Sequence, residues 1–295
     1  MFAAALLLSA TLGSSTIAAL QLPLLCKSQS QPNPIASIYP DQVTGTVNGT
    51  LSVLPIPLTE AQQIVGPKYA ILTAAYRELL PDFPHDMYPA ILQAVHDHDL
   101  QAPGVRIPDF TRISIEYPFL DLLNNSYSSF RLALNQTITA DSPALAGSAA
   151  YGTNVYPATF NPPCDAYGPG TSLTARPVAR RPNASEDAYF ATSFAPAPCP
   201  SPYPLSFFVN ATNQPSFADP ARGCDRMVRL FNTSVTQPPY EPVHVYGTVS
   251  ASDTFFPTAS GNGRTWEGVW GLRLDTAFIE YNYLPCPSLA GVTAS

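Results

Sequence analysis

Thirty-three prolines, spread along the whole of a 295-residue chain, constrain this protein more than any other feature of its sequence. Proline removes a backbone donor and breaks the helical ladder, so it gathers at helix starts, turns and strand edges. A chain so punctuated is expected to be mainly β (α+β), with short helices. Its hydrophobic content of 45% is ample for a core, whereas charged residues make up only 12%, against about 25% in soluble proteins generally. A charged residue inside a strand is therefore worth notice here. The net charge of −7 and the absence of a basic run exclude nucleic acid as a partner.

Residues 1–20, MFAAALLLSATLGSSTIAAL, are apolar and uncharged. Polar breaks at Ser9, Ser14 and Ser15 make them short for a membrane span, and small residues at Ala18 and Ala19 suit a signal-peptidase site. The expected organisation is a leader over 1–20, an extended lead-in over 21–42, and a single domain over 43–295, secreted and with no membrane segment after cleavage. Six sequons, at Asn48, Asn124, Asn135, Asn183, Asn210 and Asn232, point to a glycoprotein. Of five cysteines, Cys164, Cys199, Cys224 and Cys286 lie in the second half and are expected to form two disulfides. Their pairing is open, and Cys26 is the odd one.

Residues 43–57 read as a strand with a turn possible at Asn48-Gly49. Thr59 and Gln62 spell a capping box for a helix ending at Gly66-Pro67, and a second helix fits 71–80. Strands are expected at 90–99, 112–120 and 129–139, then at 205–210, 227–231, 243–249 and 266–283, the last long enough to bend or split. Residues 160–204, rich in Pro, Ala and Ser, read as a stapled insertion. In 129–139 the sequon at Asn135 predicts Arg131 and Ala133 pointing outward.

The candidate site lies in residues 87–123, where His96, His98, Asp97, Asp99, Asp109, Glu116, Asp121, Arg106 and Arg112 concentrate. Residues 112–120 alternate strictly. Ile113, Ile115, Tyr117 and Phe119 share one face, expected against outer helices. Arg112, Ser114 and Glu116 share the other, expected toward an interior. Arg112 and Glu116 lie about 13 Å apart at 3.3 Å per residue, too far to pair. Arg112 is expected to hold an anion, with Glu116, its pKa raised by desolvation, or His96 moving protons, and with Ser114 and His98 contacting ligand. A metal held by His96 and His98 is a further alternative. No cofactor is expected, since no serine elbow, phosphate loop or dinucleotide fingerprint occurs.

Four segments carry a family resemblance: PIPLTEAQQIV, ISIEYPFLDLL, YSSFRLALNQTITADSPALAGSAAYGT and WEGVWGLRLDTAFIEYN. Together they resemble the entry helix, central strands, Gly-rich turn and late strand of the acetoacetate decarboxylase-like superfamily, including its secreted members from filamentous fungi. The resemblance covers roughly residues 43–159 and, more loosely, the C-terminal strand. It implies a cone-shaped, mostly antiparallel β-barrel with a few peripheral helices around a small-molecule pocket. It also implies a lysine just after the Gly-rich turn that forms a Schiff base with a β-keto acid. Here that stretch is Tyr151-Gly-Thr-Asn-Val-Tyr-Pro, and the whole chain has only Lys27 and Lys68.

The functional expectation is a secreted enzyme of lyase or isomerase type, with a place in secondary metabolism, acting on a keto or carboxylic metabolite without a Schiff base. The alternatives are a non-catalytic binding protein on the same fold and a metal enzyme. Secretion predicts a mature chain starting near residues 19–21 whose mass drops on treatment with a peptide N-glycosidase. An intact Met1 with no glycan would remove the expectation.

Overall fold

The computed structural model of the protein describes residues 31–105, 107–178 and 188–292. The expected leader, Cys26, Arg106 and the Asn183 sequon lie outside them. In chain order the elements are β1 (Val43–Pro57), α1 (Leu58–Val65), β2 (Ala70–Ile71), α2 (Thr73–Leu79), β3 (Met87–Gln101), β4 (Phe110–Asp121), β5 (Ser129–Leu132) and β6 (Asn135–Thr139). There follow α3 (Ala144–Ala150), β7 (Asn154–Asn161), β8 (Leu173–Pro177), β9 (Phe190–Pro196), α4 (Leu205–Asn213), β10 (Ser216–Phe217), β11 (Cys224–Leu230), β12 (Val243–Ala251) and β13 (Arg264–Leu284). The mainly β expectation holds.

Among the described residues the strands join into one sheet that closes twice. Seven strands form a ring in the order β1-β3-β4-β5-β10-β11-β13, because β1 pairs with both β3 and β13. A second circuit leaves β4 through β6 and returns by β7, β8, β9 and β12 to β13. In place of one cone-shaped barrel there are two rings on a shared wall, β13-β1-β3-β4. Pairing is antiparallel except at β5–β10 and β6–β7.

The shared wall explains its own sequence. Each face looks into a different ring, so all twelve positions of β4 are buried. Alternation in β4 sends Arg112, Ser114 and Glu116 to the seven-strand ring and Ile113 and Ile115 to the other. Only toward the end of β4 does the apolar face meet helices: Phe119 packs on Tyr76 of α2 and Phe207 of α4, with ring centroids 5.8 and 6.0 Å away. Gly49 sits in mid-strand and makes no turn. A Cβ there would lie 2.3 Å from the Ala94 carbonyl oxygen and 2.7 Å from Val95 Cα, so glycine lets β1 and β3 close up.

Other expectations change as well. Helix α1 forms, but Thr59 does not cap it; Pro57 is the cap residue, and Gln62 bonds forward to the carbonyls of Gly66 and Tyr69. Residues 205–210 belong to α4. The supposed insertion over 160–204 supplies β8 and β9, hydrogen-bonded between β7 and β12. The Gly-rich turn of the resemblance is α3. The strand over 266–283 is continuous and splits its partners instead: β12 along its first half, β11 along its second.

Cys224 pairs with Cys286, whereas Cys199 is free and exposed, which corrects the expectation of two bonds among the four late cysteines. Cys164 is also disulfide-bonded, to a partner outside the described residues. Of the sequons, Asn124 and Asn232 are exposed, Asn135 and Asn210 half-buried. Asn48 is half-buried between His96 and Asp275 of the flanking strands, which is not the loop setting a sequon implies. No helix among the described residues is long and apolar enough to cross a membrane.

The close contact at Gly49 predicts that Gly49→Ala destabilises the protein by about 1–3 kcal/mol, the cost of overpacking a dense core. Gly147→Ala, where a Cβ meets nothing within 4 Å, should be neutral or mildly stabilising. Urea midpoints for the two variants check both.

Candidate functional site

The seven-strand ring encloses a cavity of about 450 Å³. Each wall strand contributes alternate residues, and in a chain so poor in charge these are unexpectedly polar. Strand β3 sends in Gln93 and Asp97, β4 Arg112 and Glu116, and β5 Arg131. Strand β11 adds Asp225 and Arg229, and β13 adds Glu280.

Two ion pairs neutralise part of this charge. Arg112 grips Asp97 with two N–H groups, at 2.8 and 3.3 Å. Arg131 Nε lies 2.8 Å from Glu116 Oε2, close in charge though not aligned as a hydrogen bond. Glu116 also accepts hydrogen bonds from the Ser114 hydroxyl at 2.8 Å and from the Gln93 amide. Burial alone would push the Glu116 carboxyl up. Arg131, Arg112, the Ser114 hydroxyl and Arg229 outweigh it and hold the pKa below the usual carboxylate value. The expected upward shift of Glu116 is thus reversed: the residue is a fixed anion, not a proton carrier.

Arg229 is different. Its guanidinium donates to the Gln93 side chain and, at 2.7 Å, to the Thr212 carbonyl near the end of α4, which also accepts from Arg131. These are neutral partners, helped by the negative end of the helix dipole. No carboxylate among the described residues lies within ion-pair reach of it. Burial, with Arg131 and Arg112 nearby, lowers its pKa to about 9, so it remains a cation at neutral pH.

Two further acids face these guanidiniums without a tight partner. Burial, with Asp225 and Asp97 adding repulsion, pushes Glu280 up to about 8. Burial raises Asp225 to about 6 against the pull of Arg131, Ser216, Arg112 and Arg229. Glu280 therefore carries a proton at pH 7. At the mouth, Tyr151 and Tyr283 stack with centroids 4.8 Å apart, and the Tyr151 hydroxyl donates to Asn282 and accepts from the Tyr283 amide. Arrangements of this kind bind anions and move protons.

Arg112 and Glu116 line the cavity, and Ser114 reaches it through Glu116. His96 and His98 do not. They stand on the opposite face of β3, fully buried, with Asp97 between them pointing the other way. His96 Nδ1 meets the Thr111 hydroxyl at 2.9 Å; His98 lies between Asp99, at 2.8 Å, and Asp275, at 3.5 Å. Strand parity separates both histidines from any ligand in this cavity. No group of three or more His, Cys, Asp or Glu among the described residues could hold a metal ion, so the metal alternative has no geometry behind it. Arg131, expected outward, is buried and central, because the chain breaks between β5 and β6 and the phase of Asn135 does not carry back. The sequence reading missed Asp225, Arg229 and Glu280. Arg229 and Glu280 signalled themselves only as charge inside otherwise apolar strand segments, MVRLF and AFIEY; Asp225, in GCDRM, gave no such signal.

No family model and no curated protein matches the chain. Solved structures match it loosely. An acetoacetate decarboxylase from Legionella pneumophila is similar at a TM-score of 0.42 and 8% identity, over 82% of this chain and 86% of that one. An acetoacetate decarboxylase-like enzyme from Sphingomonas wittichii gives 0.35 and 7%, over 81% and 89%. The enduracididine biosynthesis enzyme MppR complexed with pyruvate gives 0.39 and 10%, over 86% and 91%.

The cavity acids set a pH dependence. Glu280 has its folded pKa raised above the unfolded one, so the folded state holds the extra proton between about pH 4.5 and 8. The stability it contributes is present below pH 4.5 and lost as pH rises to about 8. Thermal melts across this range should show a falling midpoint, and Glu280→Gln should flatten the fall. A midpoint that rises through the window, or a variant with the parent's slope, would contradict the assignment.

Proposed function

We propose that this protein is a secreted enzyme with an acetoacetate decarboxylase-like pocket that binds a small carboxylic or keto acid and acts on it by acid–base chemistry, without a Schiff base. The observation that carries the reading is the pairing pattern inside the seven-strand ring. Arg112 and Arg131 are each committed to a carboxylate, and Arg229 is not. A desolvated guanidinium facing a cavity is a seat for a carboxylate. Glu280, protonated at pH 7 and in the same cavity, is placed to donate to a carbonyl oxygen as charge develops there and to take the proton back. Arg112 and Glu116, first read as the clamp and the acid, serve instead to fix the polar floor. The segments quoted for the family resemblance become the end of β1 with α1, β4, β5–β6–α3 and β13, and supply part of the cavity's frame, whereas β3, β10 and β11 lie outside them.

The lysine chemistry of that family does not come with it. Among the described residues no lysine lines the cavity, and Lys68 is exposed, over the ring of Tyr69. Where the family has its lysine, Tyr151 and Thr153 line the mouth. The non-catalytic reading is favoured by this one substitution and differs in a measurable way.

Calorimetry with 2-oxobutanoate should show binding that tightens from pH 8 to pH 5.5, as Asp225 gains its proton and the cavity becomes net cationic. Arg229→Met should weaken it by about 10- to 150-fold, the range for a hydrogen bond to a charged group. Solvent-deuterium exchange at C3 of the bound acid, followed by NMR, should be accelerated and should fall in Glu280→Gln while binding persists. Binding without acceleration selects the non-catalytic alternative, and no binding at either pH rejects the pocket assignment.

A further inference from the structure

The volume of the cavity exceeds what a three-carbon or four-carbon acid needs. At about 30 Å³ per water it has room for about fifteen waters, whereas pyruvate has only six non-hydrogen atoms. One part of the wall is apolar. The end of β3, the link that follows and the start of β4 bring Leu100, Ala102, Val105, Ile107 and Phe110 to it. This surface begins one side chain from the anion seat. Phe278 is the register partner of Arg229 on β13, and its ring lies with Leu100 over Gly45, 2.7 and 3.4 Å from where a Cβ would stand. Val105, 59% exposed, marks the outer end of the strip.

We infer that the ligand is an amphipathic monocarboxylic acid, its carboxylate at Arg229 and an alkyl or aryl body of several carbons along the strip from Phe278 to Val105. The inference rests on the carboxylate-binding reading above and narrows its substrate class. Among the described residues of the cavity wall, Arg229 is the guanidinium left without a carboxylate, since Arg112 and Arg131 are held by Asp97 and Glu116, and this argues for one carboxylate on the ligand. The strip itself favours an apolar body: its described lining residues Leu100, Ala102, Val105, Ile107 and Phe110 carry no hydrogen-bonding side chain, and Gln101 bonds to the Tyr39 carbonyl. Apolar lining with a few convergent polar groups is the usual composition of a site that selects by shape and one charge.

The test is a calorimetric series on the full chain at pH 5.5: acetate, butanoate, hexanoate and octanoate, with hexanol as the uncharged control. Each added methylene that leaves water should tighten binding by about fourfold, at least as far as hexanoate, and hexanol should bind far more weakly than hexanoate. Val105→Ser, at an exposed position that tolerates the change, should weaken octanoate several-fold and leave acetate unaltered. A flat series in which acetate binds as well as octanoate overturns the inference and leaves the carboxylate seat standing. Hexanol binding as tightly as hexanoate, or no acid binding at all, overturns the seat and the inference together.

Discussion

The whole architecture depends on four strands that are covered on both sides. Strands β13, β1, β3 and β4 form a wall with a ring closed over each face. A strand in that position has no solvent face on which to place its polar residues, so whatever polarity it carries must be satisfied internally. The wall divides the task by parity. One face contributes to the dry core with Phe190, Phe194 and Val245. The other faces a cavity whose charges are paired, bonded or kept neutral.

That burial sets the chemistry. Removing charges from water is costly, and an ion pair recovers the cost only with good geometry. Asp97–Arg112 has that geometry; Glu116 has Arg131 close by without an aligned hydrogen bond and relies on Ser114 and Gln93 to complete its shell. The remaining groups respond as desolvated groups do: Glu280 holds its proton, and Arg229 is eased toward losing one. A cavity with one guanidinium lacking a contacting carboxylate, beside an acid held toward its neutral form, is a consequence of packing three guanidiniums among four acids of unequal solvation.

Much of this was legible in the sequence at the level of parity and little at the level of closure. The alternation of residues 112–120 correctly placed Arg112 and Glu116 on an interior face, and it kept His96 and His98 together on one face of their strand. Alternation does not say which face looks into which ring. The histidines were therefore assigned to the wrong side, and the apolar partners Ile113 and Ile115 were given helices when they have a second ring. Arg131 was misplaced because a sequon was taken to fix the phase of a strand that is broken at residues 133–134. Residues 160–204 looked like an insertion because proline and alanine suppress strand propensity, yet their backbone donors are needed by β7 and β12. Arg229 and Glu280 come together only through the register of β11 on β13, a pairing across about fifty residues that composition does not encode.

The Cys224–Cys286 bond gains a meaning from this register. Cys224 opens the strand that carries Arg229, and Cys286 directly follows the strand that carries Glu280. The covalent link therefore ties together one end of the two strands that carry the anion seat and the proton donor, where pairing between β11 and β13 is interrupted by a register shift beside Cys224. A reductant would leave β11 held to β13 by its backbone ladder alone, while β13 stayed paired with β1 in the wall. The anion seat and the proton donor are thus held in one register by a covalent bond and a ladder together.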